Sequence, residues 1–123
     1  MITGFKIPKV NFKVREGDIA EKEGACALGG KWVDKTTDDF FKGKKVILFS
    51  LPGAFTPTCS SQQLPGFEKN YSQFKGYGID EIYCCSVNDS FVMNAWAELL
   101  NIENVKVIPD GSGNFTRYMG MLI

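Results

Sequence analysis

The spacing of hydrophobic and polar positions changes along the chain, and each change predicts an element. "PKVNFKVRE" (8–16) alternates apolar and polar residues, which predicts a short strand. "EGDIAEKEGACALGGKW" (16–32) is glycine-rich and charged and reads as a loop or hairpin tip carrying Cys26. "KWVDKT" (31–36) predicts the returning strand. "TTDDFFKGK" (36–44) reads as a short helix. Thr36 or Thr37 can cap it, Asp38 and Asp39 suit its positive end, and Gly43 ends it. The continuous apolar run Val46-Ile47-Leu48-Phe49 predicts a strand buried on both faces. In "SSQQLPGFEKNYSQFKGYG" (60–78), Leu64, Phe67, Tyr71 and Phe74 recur at threes and fours, the spacing of a helix face. Pro65 should kink or break that helix near its start. Ile79–Val87 predicts the next strand. Asp89 or Ser90 then caps a helix with Phe91, Val92, Ala95, Trp96, Leu99 and Leu100 on one side. "VKVIPDGSG" (105–113) predicts a third strand and a turn, and "NFTRYMGML" (114–122) opens a last helix in which the chain stops.

From Lys45 onward this is strand and helix in strict alternation, the pattern of an α/β fold with a parallel sheet covered by helices. No repeat, linker or low-complexity tract interrupts it, so 1–123 reads as a single domain. Lys+Arg and Asp+Glu balance at 14 each and no segment is a basic stripe, which argues against nucleic acid or an anionic membrane as partner. No apolar run approaches the ~20 residues that span a bilayer. The start, "MITGFKIPKV", is too polar for a signal peptide, so the expected location is cytoplasmic.

Four cysteines, Cys26, Cys59, Cys84 and Cys85, are the candidate chemistry. In a reducing compartment they are buried, catalytic or metal-binding more often than bridged. Zinc is disfavoured: the chain has no histidine and no C-x-x-C pair, and Cys84 and Cys85 point to opposite faces of a strand. The same lack of histidine removes Cys-His proteases and acyltransferases, which need an imidazole base. A C-x5-R phosphatase loop fails because position 65 is Pro65, and a dithiol oxidoreductase fails because position 62 is Gln62.

Cys59 stands apart by its context. "SLPGAFTPTCSS" (50–61) follows the first core strand, and sites of open α/β sheets lie beyond the carboxyl ends of the strands. Thr56 fits an N-cap, Pro57 fits N1, and Cys59 then occupies N3, where a capping box places its carboxylate. The unpaired N–H groups and positive dipole end of a helix favour an anionic sulfur at such a position, and the thiolate is the nucleophile. Thr56 Oγ has the capacity to accept a bond and to donate one to the sulfur or a substrate oxygen. Pro52 and Pro57 stiffen the loop and shield the sulfur. On the residues alone, a buried filler cysteine is the competing reading.

The motif P-x-x-x-T-x-x-C, here Pro52, Thr56 and Cys59, resembles the signature of the peroxiredoxins. The blocks "VILFSLPGAFTPTCSSQQLPGF", "GIDEIYCCSVNDSFVMNAW" and "VKVIPDGSGNFTRYMGML" resemble the type-II, peroxiredoxin-5-like group, in the same order and over nearly the whole chain. The resemblance implies a thioredoxin-like fold and a thiol peroxidase with Cys59 as peroxidatic cysteine and Thr56 and Pro52 as its catalytic surround. Its substrates would be hydrogen peroxide and alkyl hydroperoxides. Its reductant would be glutathione with glutaredoxin, or thioredoxin. No metal or organic cofactor is implied, and relatives are commonly homodimers. Cys84 matches the position of a second, resolving cysteine in plant-type relatives, although a buried strand cysteine with a one-cysteine mechanism is the preferred reading. Cys85 reads as core packing on the other face. Cys26 reads as a loop cysteine open to surface oxidation or mixed disulfides, although a cysteine with no chemical role is the preferred reading there.

Family members continue for several dozen residues beyond "GMLI", through further strands, a helix and an arginine that pairs with the peroxidatic sulfur. The chain therefore reads as C-terminally truncated, with the Val46–Phe49 strand left at a sheet edge. Neither Arg15 nor Arg117 takes over the arginine's role. The alternatives are a catalytically impaired fragment acting as an interaction module, or another thiol-disulfide oxidoreductase.

Overall fold

The structure, a computed structural model, describes residues 4, 6–16 and 31–122. The loop predicted to carry Cys26 lies outside the described residues. Strands β1 (Asn11–Glu16) and β2 (Lys31–Thr36) pair antiparallel, from Asn11 opposite Thr36 to Glu16 opposite Lys31. Helix α1 (Thr37–Phe41) follows at once, capped by Thr36. Asp39 Oδ2 accepts from the Thr36 N–H at 2.8 Å and Thr36 Oγ1 accepts from the Asp39 N–H at 3.4 Å, a reciprocal capping box.

Strands β3 (Val46–Ser50), β4 (Glu81–Ser86) and β5 (Lys106–Pro109) form a parallel sheet in the order β3-β4-β5. Period-two alternation sends their side chains into two cores. Ile82 and Cys84 join Leu51, Cys59, Leu64, Met93, Trp96 and Val105 on one face. Tyr83, Cys85 and Ile108 join Val10, Phe12, Phe40 and Phe115 on the other. The predicted α/β arrangement is the one observed, with the β1–β2 hairpin and α1 on the second face.

β3 departs from the expectation of full burial. Its side chains reach both cores, Ile47 and Phe49 one and Val46 and Leu48 the other, yet all four are only half-buried. Among the described residues β4 is its one strand partner, so its second edge has no strand to cover it.

The segment after the Cys59 loop also differs in detail. The predicted kink at Pro65 is absorbed one turn earlier, as a π-helical turn over Cys59–Gln63. Leu64 N–H bonds back to the Cys59 carbonyl, five residues away, and this widening gives the proline ring room where it would clash with the preceding turn. The chain continues as α2 (Leu64–Lys69), is stopped at Asn70, and restarts as α3 (Tyr71–Gly76). Asn70 ends α2 because both its backbone N–H and its Nδ2 donate to the Gly66 carbonyl, at 3.2 and 3.0 Å.

Helix α4 (Ser90–Leu99) is capped by Asp89, whose carboxylate accepts from the Val92 N–H at 2.9 Å. Its buried stripe is Ser90, Met93 and Trp96, so the predicted stripe is corrected: Ala95 and Leu99 are exposed, and Leu99 is 67% accessible. Helix α5 (Asn114–Tyr118) does not run off the chain as expected. Gly120 N–H bonds to the Arg117 carbonyl at 2.9 Å and Met121 N–H to the Thr116 carbonyl at 3.0 Å, with Gly120 at φ +76°. This pairing closes the helix as a Schellman motif, and the left-handed position suits glycine.

One tether has a pH consequence. Glu68 on α2 accepts from the backbone N–H groups of Glu103, Asn104 and Val105 and from Asn104 Nδ2, at 2.9–3.2 Å. Partial burial pushes its pKa up, but the bonds from Val105, Asn104 and Glu103 outweigh that and hold the carboxyl below its ordinary value of 4.5. The folded value is depressed, so the stabilisation is present above pH 4.5 and is lost as pH falls through the folded value. Glu68→Gln should therefore lower urea stability at pH 7, and its deficit against wild type should shrink in acid. A deficit independent of pH between 7 and 3 would contradict this assignment.

Candidate active site

The site is built where β3 ends. Leu51 N–H still bonds to the Cys85 carbonyl at 3.3 Å, so the loop leaves the sheet from a fixed point. The first helical bond runs from Ser60 N–H to the Thr56 carbonyl at 2.9 Å. That is the register expected from sequence: Thr56 at the cap, Pro57 first, Cys59 third. The N–H groups of Thr58 and Cys59 precede that bond, so the helical ladder does not use them.

The Thr56 side chain behaves differently from the expectation. Its Oγ1 does not cap the helix but turns back and donates to the Gly53 carbonyl at 2.8 Å. Its proton is thereby committed, and its lone pairs are what it offers to a ligand. Phe55, just before it, adopts φ +66° and is 52% accessible. A bulky residue in the left-handed region stores strain of about 1–2 kcal/mol, which the surroundings must hold.

Cys59 is buried at 5% accessibility. Its core mates are Leu51, Leu64, Ile82, Cys84, Met93 and Trp96, with Phe49 and Ala54 packed at the margin. Pro52 stands exposed on the loop, at the rim of a cavity of about 530 Å³ that also involves Ser50, Leu51, Cys85 and Met121. Cys59 does not line that cavity, which lies beyond the ends of β3 and β4.

Of the other cysteines, Cys84 shares the Cys59 core and Cys85 faces the opposite core, as strand alternation requires. Burial, and then the neighbouring Cys59 sulfur, pushes the Cys84 thiol up to about 12. Burial, and then the Asp110 carboxylate and Cys84, pushes Cys85 up to about 12. Both are free thiols. At pH 8 the thiolate fraction of each is on the order of one in ten thousand. Iodoacetamide applied to the folded protein at pH 8 should leave Cys84 and Cys85 unmodified, and peptide mapping that found either alkylated at the rate of Cys59 would contradict this.

The arginines lie elsewhere. Arg15 sits between the rings of Trp32 and Phe91, with centroids 5.3 and 5.1 Å from its guanidinium carbon. Arg117 is exposed, donates to Asn114 Oδ1 at 2.8 Å and lies over the Tyr118 ring.

Two residues reach the loop that motif reasoning passed over. Asn88 Oδ1 accepts from the Ala54 N–H at 3.0 Å and from Ser86 Oγ at 2.7 Å. Trp96 Nε1 donates to Ser60 Oγ at 2.9 Å. In sequence Asn88 is one more polar residue before a cap, and Trp96 one more apolar position on a helix. Only the tertiary register brings them to the loop. Among the described residues no helix is long and apolar enough to cross a membrane.

The chain matches the Redoxin family over residues 4–123. It is 58% identical over 118 residues to a peroxiredoxin of Rhizobium etli, across 96% of this chain and 64% of that protein. It is 52% identical over 120 residues to the hybrid peroxiredoxin hyPrx5 of Haemophilus influenzae, across 98% of this chain and 45% of that protein. Its fold superposes with TM-score 0.81 on a reduced Prx3 of Vibrio vulnificus in complex with H2O2, at 37% identity, across 98% of this chain and 68% of that one. The chain thus spans less than two thirds of the length of the two curated relatives.

Proposed function

The chain belongs to the redoxin family and within it to the peroxiredoxins, in their type-5-like group, and from that premise we propose that it is a thiol-dependent peroxidase acting through Cys59. The observation that carries the reading is the placement of Cys59: third residue of a helix start, buried in an apolar wall, beside Thr56 at the end of β3. The Vibrio vulnificus relative, solved with H2O2, supports a peroxide as substrate.

In this reading hydrogen peroxide or an alkyl hydroperoxide enters between Thr56 and the helix start. Thr56 Oγ1, its proton held by Gly53, accepts from the peroxide O–H. The N–H groups of Thr58 and Cys59 stabilise negative charge on the reacting oxygens. The Cys59 thiolate attacks one peroxide oxygen. An S–O bond forms, the O–O bond breaks, sulfur is oxidised to the sulfenic acid, and the other oxygen leaves as alkoxide or hydroxide and takes a proton from solvent. A thiol then attacks the sulfenic sulfur, releasing water and forming a mixed disulfide, and a second thiol attacks that disulfide to restore Cys59. Glutathione with glutaredoxin, or thioredoxin, supplies those thiols. Cys84, buried and with its thiol raised, is bypassed, so the cycle uses one cysteine of the chain.

The test is peroxide consumption with a small dithiol as reductant, with the oxidation state of Cys59 followed by mass spectrometry. Before the dithiol is added, one equivalent of peroxide should add one oxygen to the Cys59 peptide. A Cys59–Cys84 bridge would overturn the one-cysteine cycle, and disulfide reduction without peroxide turnover would overturn the peroxidase reading.

A further inference from the structure

Three contacts on the Cys59 loop come from one short stretch of chain, the turn after β4 and helix α4. Asn88 accepts the Ala54 N–H at 3.0 Å. The Trp96 ring lies against Phe55, with centroids 6.5 Å apart. The Trp96 indole N–H donates to Ser60 Oγ at 2.9 Å. Residues 54, 55 and 60 bracket Cys59, and the bracketed segment contains the left-handed Phe55 and the first two residues of the π-helical turn. Neither feature is stable in an isolated peptide, so something outside the segment must hold it. Trp96 is fully buried in the core that also contains Cys59.

We infer that Trp96 and Asn88 are positioning residues: from outside the loop they clamp the strained segment 54–60 so that the Cys59 sulfur is held, buried, in its reactive placement. The inference rests on Cys59 being the reacting thiol. It adds residues outside the loop that set where the sulfur sits. The Ser60 hydroxyl is the receiving end of the clamp, immediately after Cys59.

The clamp predicts two changes of opposite sign. Trp96→Phe keeps the ring and removes the N–H, and Ser60→Ala removes the acceptor. Each should slow peroxide reaction of Cys59 by about tenfold or more, because a displacement on the order of 1 Å is costly to a positioned reaction. Each should at the same time speed alkylation of Cys59 by iodoacetamide by about threefold or more, because the opened turn exposes a buried sulfur. Amide hydrogen exchange over 59–64 should rise by about tenfold while that of β4 stays unchanged. Ser60→Thr, which keeps a hydroxyl, should restore all three readings, and the Trp96→Phe, Ser60→Ala double variant should be no worse than either single one. If Trp96→Phe fails to fold, Ser60→Ala alone gives the same readings. Unchanged exchange over 59–64, or peroxide and alkylation rates that fall together, would overturn the clamp. If wild type were inert toward peroxide while alkylation and exchange responded as described, the clamp would stand and the peroxidase reading would fall.

Discussion

Cys59→Ser should abolish peroxide consumption, lowering it by about a thousandfold or more to the level of protein-free buffer. Serine is close to cysteine in shape, so the buried site facing Leu51, Leu64 and Trp96 is left filled. What is lost is the nucleophile. A serine hydroxyl is not appreciably ionised near neutral pH, and the chain has no histidine to activate it as an imidazole base. Among the described residues no other cysteine substitutes. Cys84 is buried in the same core with its thiol pushed to about 12, and Cys85 faces away from Cys59. The expected result is therefore all-or-none, with unfolding by urea little changed. Peroxide turnover at more than a tenth of the wild-type rate in Cys59→Ser would remove Cys59 from the mechanism. A large loss of stability alongside lost activity would return the residue to a packing role.

Much of this site was legible before any fold was known, because the signals there are local. Thr56, Pro57 and Cys59 take cap, first and third positions by residue type alone, and the observed bond from Ser60 to Thr56 has that register. The period-two alternation of "EIYCCS" separated Cys84 from Cys85, and the two do face different cores. The parallel sheet follows from the alternation of strands and helices. What stayed hidden depended on partners distant in sequence. A threonine hydroxyl at a cap position can bond forward to the helix or back to the loop, and only the turn at Gly53 selects the second. The kink expected at Pro65 became a π-helical turn because the chain must widen ahead of the ring while Leu64 stays wholly buried. The stripe expected over 91–100 counts Ala95 and Leu99 as core and omits Met93, whereas Met93 and Trp96 are buried, Leu100 packs at their margin, and Ala95 and Leu99 are exposed. The half-burial of β3 reflects the number of strand neighbours, a property of the sheet that a four-residue apolar run cannot carry.

Asp110→Ala should cost about 3 kcal/mol of stability, roughly 10 °C in Tm for a chain of this size. Asp110 follows the last residue of β5 and is 1% accessible. One carboxylate oxygen accepts from the Phe115 N–H at 3.1 Å, and the other from the Thr116 N–H at 2.8 Å and Thr116 Oγ1 at 2.7 Å. Its own N–H donates to the Ser86 carbonyl and its carbonyl accepts from Gly113, both at 2.9 Å. The residue therefore joins the ends of β4 and β5 to the start of α5. Alanine keeps the two backbone bonds and removes all three bonds to the side chain. It leaves the buried Phe115 N–H without its acceptor and a void beside Cys85. Hydrogen bonds to a charged acceptor are worth about 1.5–3 kcal/mol each, and the unsatisfied donor adds to the loss, offset in part by the carboxylate's own burial cost. Asp110→Asn should recover only part of the difference, because its amide end presents N–H toward another N–H or O–H donor. The damage should stay on the α5 side of the sheet. Phe115 belongs to the core that contains Cys85, whereas Cys59 and Cys84 lie in the other. Iodoacetamide mapping of Asp110→Ala in mild denaturant should therefore show Cys85 becoming reactive before Cys84. Simultaneous exposure of the two thiols would mean that the two faces of the sheet unfold as one unit and that Asp110 does not divide them.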